Sequence, residues 1–88
     1  MKKDAISCDR ILEAVCSVLQ EQRKAQGVTQ LDLADRAGMQ RSYISDVEQG
    51  ARNLSVKNLY RISMALDLQM SELVERAVNK VTSSRKRR

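Results

Sequence analysis

Arg41, Ser42 and Asp46 are three hydrogen-bonding side chains set around two aliphatic ones, Ile44 and Val47. On a helix, positions 41, 42 and 45–46 fall opposite positions 44 and 47, so the polar and apolar groups separate onto two faces. An arginine held this way can donate two parallel hydrogen bonds to O6 and N7 of a guanine. A serine can serve several bases, and an aspartate can accept from cytosine or orient the arginine. This chemistry is recognition by hydrogen bonding, without bond breaking. Other combinations offer less. His is absent and Cys8 and Cys16 are the only cysteines, so no Cys/His zinc constellation can form. Eight residues apart on one helix, the two thiols would sit about 12 Å from each other along its axis, too far for a disulfide. Asp32 with Asp35, and Asp46 with Glu48, are carboxylate pairs only in the sense that helices carry acids. No glycine-rich phosphate loop and no nucleophile–base pair is present. The expectation is a non-enzyme that needs no metal and no cofactor.

The elements that must position Arg41, Ser42 and Asp46 are legible around them. Thr29 is a plausible N-cap, with Asp32 three residues on in a capping-box-like position. Leu31, Leu33, Ala34 and Ala37 follow at helical spacing, and Gly38 ends that helix as a residue able to take positive φ. Met39 anchors the turn, and a second short helix runs from about Arg41 to Gln49, stopped by Gly50. Two short helices joined by a tight glycine-containing turn suit a helix-turn-helix, whose second helix can lie in the major groove of DNA. Counting Gln30 as position one, the small residue required at the crossing is at five (Ala34) and the turn glycine at nine (Gly38). Apolar anchors stand at four, ten, fifteen and eighteen (Leu33, Met39, Ile44, Val47). An ordinary helical hairpin is the alternative, but it does not require all these constraints together.

Around that unit the chain is long enough for one small domain. At 88 residues, with Pro absent, three Gly and no alternating strand pattern, it is expected to be all-α: a compact five-helix bundle. Phe and Trp are absent, so Leu, Ile, Val, Met and Ala must build the core. Residues 1–8 read as an N-terminal extension, 9–81 as the DNA-binding and dimerisation domain, and 82–88 as a basic, disordered tail. Ser7 or Asp9 can cap a first helix carrying Ile11, Leu12, Val15, Cys16 and Leu19, ending near Gln26 and Gly27. Ser55 caps a fourth helix with Leu59, Ile62, Ser63 and Leu66 on its apolar side, closed by Asp67. Ser71 caps a fifth, whose stripe is Leu73, Val74, Ala77, Val78 and Val81. The net charge of +5 is weak support for a nucleic-acid partner, because Arg85, Lys86, Arg87 and Arg88 supply four of those charges. No signal peptide or membrane span is visible, so a cytoplasmic protein is expected.

The run RKAQGVTQLDLADRAGMQRSYISDVEQGARNLSVKNLYRISMALDLQMSEL resembles the lambda-repressor/Cro-like helix-turn-helix family, over roughly residues 10–75. The combination of RSYIS, Glu48 and RNLSVKNL looks most like the controller proteins of restriction–modification systems. Gln49 and Gly50, in contrast, follow the glutamate in the manner common to the wider family. The resemblance implies five helices, operator binding as a homodimer on double-stranded DNA, and transcriptional control, which brings in RNA polymerase as a further partner. It assigns Arg41, Ser42 and Asp46 to base edges. It assigns Gln30, Tyr43, Ser45, Arg52, Asn53 and Lys57 to the DNA backbone, and it makes Arg23 and Glu48 a structural pair joining the first and third helices. A packed Tyr43, solvated charges at Arg52 and Lys57, and a turn role for Asn53 are the structural alternatives.

Two further expectations concern the C-terminal part. Leu66, Leu68, Met70, Leu73, Val74 and Ala77 are more apolar positions than a terminal helix needs for one small core, which suggests a dimer interface. The Arg85–Arg88 charges are expected to add affinity without specificity, by releasing counterions from phosphates. The competing functions are an antitoxin or adaptor that uses this fold to neutralise a protein partner, and a membrane-surface anchor formed by the fifth helix and basic tail. The acids Glu72 and Glu75 on that short stripe disfavour the anchor.

Overall fold

Local capping signals set the starts of three helices. In the computed structural model, which describes residues 7–50 and 54–86, five helices follow one another: α1 Cys8–Ala25, α2 Gln30–Ala37, α3 Arg41–Glu48, α4 Val56–Ala65 and α5 Met70–Lys86. Ser7, Thr29 and Ser55 each accept a hydrogen bond from the backbone N–H three residues on, at 3.2, 3.0 and 3.1 Å. These bonds satisfy donors that the first helical turn leaves without partners. Gly38 ends α2 at φ 71°, in the left-handed region where a side chain is strained, and its turn delivers Met39 to the core edge. Asp67 takes φ 55° just after α4, at the expected stop.

The helices bury one aliphatic core. Val18, Leu19, Leu33, Ile44, Ile62, Leu66, Leu68 and Leu73 are its largest fully enclosed side chains. The buried Ser63 hydroxyl donates to the Tyr60 carbonyl at 2.9 Å, so its burial strands no polar atom. α5 lies along α1 and is fixed there by polar bonds at the rim. Arg76 donates to Gln22 at 3.0 Å, and Lys80 pairs with Glu21 at 2.6 Å. Gln26 reaches from the end of α1 to the Leu66 carbonyl at 2.7 Å, satisfying an acceptor that the end of α4 leaves without an intrahelical partner. No described helix is long and apolar enough to cross a membrane.

Three expectations change. α5 starts at Met70, and the Gln69 carbonyl already accepts from Leu73, so Ser71 lies inside the first turn instead of capping it. Burial of both Leu68 and Leu73 draws the chain into the helix earlier than the local serine signal suggests. At the other end α5 continues through Lys86, where a disordered tail was expected from Thr82. Val81 is still buried, and the Thr82 hydroxyl donates to the Val78 carbonyl at 3.0 Å, so the stripe carries the helix past its polar boundary. The third change concerns the proposed interface. Leu66, Leu68, Leu73 and Ala77 lie inside the protomer's own core. Their apolar surplus is consumed by closing α5 over α1 and α4, leaving only Met70 and Val74 of that set at the surface.

Candidate nucleic-acid interface

α3 is held by its inner face and exposes its outer one. Ile44 and Val47 are buried, whereas Arg41 and Ser42 are exposed and Ser45 and Asp46 half-exposed. The separation expected from helical spacing is therefore realised, with Arg41 and Ser42 in the first turn.

A carboxylate locks this helix in place. Glu48, at the end of α3, receives Arg23 Nε at 2.6 Å and Nη2 at 3.0 Å, a two-pronged ion pair from α1. Arg23 Nη1 also donates to the Val28 carbonyl at 2.8 Å. Oε1 of Glu48 accepts from Gln30 at 2.9 Å and from Gln20 at 3.4 Å, so α1 and α2 meet on one group. Burial alone pushes the Glu48 carboxyl up. The hydrogen bonds from Arg23 and Gln30, the Arg23 charge and the Gln20 bond outweigh that, and hold it below the usual carboxylate range.

The same network extends to the exposed face. Gln30 spends one amide hydrogen on Glu48, which fixes the amide's orientation and turns its carbonyl toward Arg41. Arg41 Nη1 donates to that carbonyl at 3.0 Å. Residues assigned separately to base edges, backbone and structure are thus one continuous chain: Arg41, Gln30, Glu48 and Arg23. Among the described residues nothing takes up the second amide hydrogen of Gln30 or the remaining guanidinium donors of Arg41.

The other assigned residues distribute around this edge. Lys57 is exposed in the first turn of α4. Ser45 is half-buried, and its hydroxyl oxygen accepts from Gln49 at 3.4 Å. Tyr43 is half-buried with its ring against the core, and its hydroxyl accepts from Asn58 at 3.1 Å. Arg52 and Asn53 lie outside the described residues, as do the charged side chains of Arg85, Lys86, Arg87 and Arg88. Sequence reasoning missed Gln20 and Asn58. Gln20 stands one turn before Arg23 on α1, a spacing that brings side chains together and so signals a shared partner. Asn58 gives no such signal, because its partner is on another helix.

The helices, the glycine turn and the exposed edge of α3 define a helix-turn-helix protein, and the chain belongs to that family, whose model matches residues 19–73. It is similar to the control protein C.BamHI of Bacillus amyloliquefaciens, at 42% identity over 48 residues covering 54% of this chain. The aligned region spans 59% of that relative's length. Among solved structures it is similar to the restriction–modification controller protein C.Esp1396I, determined as a tetramer in complex with its natural 35 base-pair operator. The TM-score is 0.77 at 32% identity, covering 82% of this chain and 95% of that one. The controller protein C.AhdI from Aeromonas hydrophila superposes at TM-score 0.66 and 38% identity, covering 72% and 94%.

Proposed function

We propose that this protein is a sequence-specific transcriptional regulator of the controller type, acting in the cytoplasm as a homodimer on a palindromic DNA operator and carrying out no catalysis. The observation that carries the reading is the rigid presentation of Arg41 and Ser42. Both are exposed on α3 while Ile44, Val47 and the Glu48–Arg23 pair fix that helix from behind. A recognition element must be held this way, because a side chain reads a base edge only if its helix enters the groove in one register. Arg41 and Ser42, with Asp46, read bases. Gln30, Tyr43, Ser45 and Lys57, together with Arg52 and Asn53, hold the backbone. The likeness to restriction–modification controller proteins, one of them determined on its operator, supports the special case, and RNA polymerase is then the machinery acted on.

Two copies meet through the exposed apolar patch of α4 and α5. Tyr60, Met64 and Val74 are 52%, 47% and 43% exposed; Met70 lines a groove with Tyr60 and Met64, and Val74 follows it one turn along α5. This patch replaces the interface expected from sequence. The test is selection of bound duplexes from a random pool, followed by sedimentation of the free and bound protein. Enrichment of an inverted repeat, with half-sites about one helical turn apart, supports the reading. A pool that stays random overturns it.

A further inference from the structure

Tyr43 and Asn58 occupy the third positions of α3 and α4, and their side chains meet across the gap between those helices. Asn58 Nδ2 donates to the Tyr43 hydroxyl oxygen at 3.1 Å, and both residues are half-buried. The backbone of Asn58 is itself fixed, since its N–H donates to the Ser55 cap at 3.1 Å. On the other side the phenol ring packs against the core. Both ends of the pair are therefore anchored before any ligand arrives.

This arrangement constrains the hydroxyl proton. A phenol O–H prefers the ring plane, which gives it two directions. A donor approaching the oxygen from one side occupies a lone pair there and leaves the proton to the other side. Among the described residues, nothing accepts that proton. The pair thus holds a half-buried donor whose direction is set by a residue on a different helix from the tyrosine.

We infer that Asn58 is a positioning residue: it orients the Tyr43 hydroxyl as a hydrogen-bond donor to a DNA phosphate and does not itself touch the nucleic acid. This rests on the DNA-binding reading above. The recipient is a phosphate because the tyrosine flanks α3 on the α4 side, away from Arg41 and Ser42, and a phosphate oxygen offers an acceptor regardless of sequence. With Asn58 removed the hydroxyl can turn to water, and part of its hydrogen bond to DNA is lost through the cost of reordering it.

The test is a double-mutant cycle on the full chain, with a random-sequence duplex at low salt as the probe. Asn58→Ala and Tyr43→Phe should each weaken binding about two- to tenfold, the range of one hydrogen bond. The double variant should bind no more weakly than Tyr43→Phe alone, because the amide has nothing left to orient. A DNA-free readout accompanies it: the Asn58 side-chain amide resonance should move in Tyr43→Phe while the melting temperature stays close to wild type. Additive losses mean that Asn58 acts on DNA or on the fold by itself, and they overturn the inference. So does an unmoved amide resonance, or an Asn58→Ala variant with wild-type affinity. A wild-type protein that binds no duplex overturns the regulator reading and this inference together, whereas additivity in a protein that does bind overturns this inference alone.

Discussion

Arg41 and Lys57 are both exposed cations, yet they should fail in different ways when removed. Arg41 starts α3 on the side opposite Ile44 and Val47, and its one partner among the described residues is the Gln30 carbonyl. Arg41→Ala should leave the melting temperature nearly unchanged and cost about 1–3 kcal/mol in specific binding. Against single-base operator variants, the loss should fall at one base pair per half-site, where discrimination relaxes. Lys57→Ala should weaken specific and random duplexes alike and lower the log–log salt slope by about 0.9, as expected for one lost phosphate contact. A uniform loss for Arg41→Ala would make Arg41 a backbone contact. Glu48 belongs to a third kind, since its 2% exposed side chain serves the fold. Its carboxyl sits below the usual range, so it contributes stability that is present above the unfolded-state value near pH 4.3 and lost as pH falls through the folded one. Glu48→Gln should therefore destabilise the protein at neutral pH, and the gap from wild type should shrink in acid. Urea denaturation at a series of pH values reads this directly.

Between elements, the α2–α3 turn and the α1–α3 clamp decide where the recognition helix points. Gly38 sits at φ 71°, and a Cβ there would come within 2.9 Å of an Arg61 nitrogen, the far end of a flexible side chain. The backbone conformation, more than crowding, is then the obstacle. Gly38→Ala should cost about 1–2 kcal/mol, the usual strain of a left-handed residue with a side chain. Thermal denaturation measures that cost. At a temperature where the variant stays folded, operator affinity reports whether α3 has been re-aimed. The clamp is stiffer than an ordinary surface ion pair because one carboxylate gathers donors from Arg23, Gln20 and Gln30.

For the molecule as a whole, the apolar side of α5 is divided between two tasks. Leu73, Ala77 and Val81 close the protomer, whereas Met70 lines a groove with Met64 and Tyr60 and Val74, one turn on, is exposed. Changing an outward residue should break the dimer without unfolding the chain. Met64→Glu and Val74→Glu should each shift sedimentation at tens of micromolar to a single-chain species, with helical circular dichroism retained. Operator affinity should fall steeply, because two half-sites no longer act together. Leu73→Glu provides the contrast: it buries a charge in the core and should unfold the protein.

Cap residues, glycines and periodicity act over a few positions, and so the sequence alone determined the five helices, the turn at Gly38 and the face of α3 that carries Arg41 and Ser42. The Arg23–Glu48 pair was legible through a family resemblance, since nothing local links residues 25 positions apart. The rest needed tertiary structure for identifiable reasons. Hydrophobicity marks Leu66, Leu68, Leu73 and Ala77 as buried but cannot say by which molecule, and packing assigned them to the protomer's core. Polarity marks Thr82 as a helix boundary, but Val81 seated in the core carried α5 beyond it. Gln30 and Arg41, like Tyr43 and Asn58, are unremarkable pairs in the linear chain. Their hydrogen bonds exist because α2 and α4 deliver the partners to α3, a relation that side-chain type and spacing along one helix do not encode.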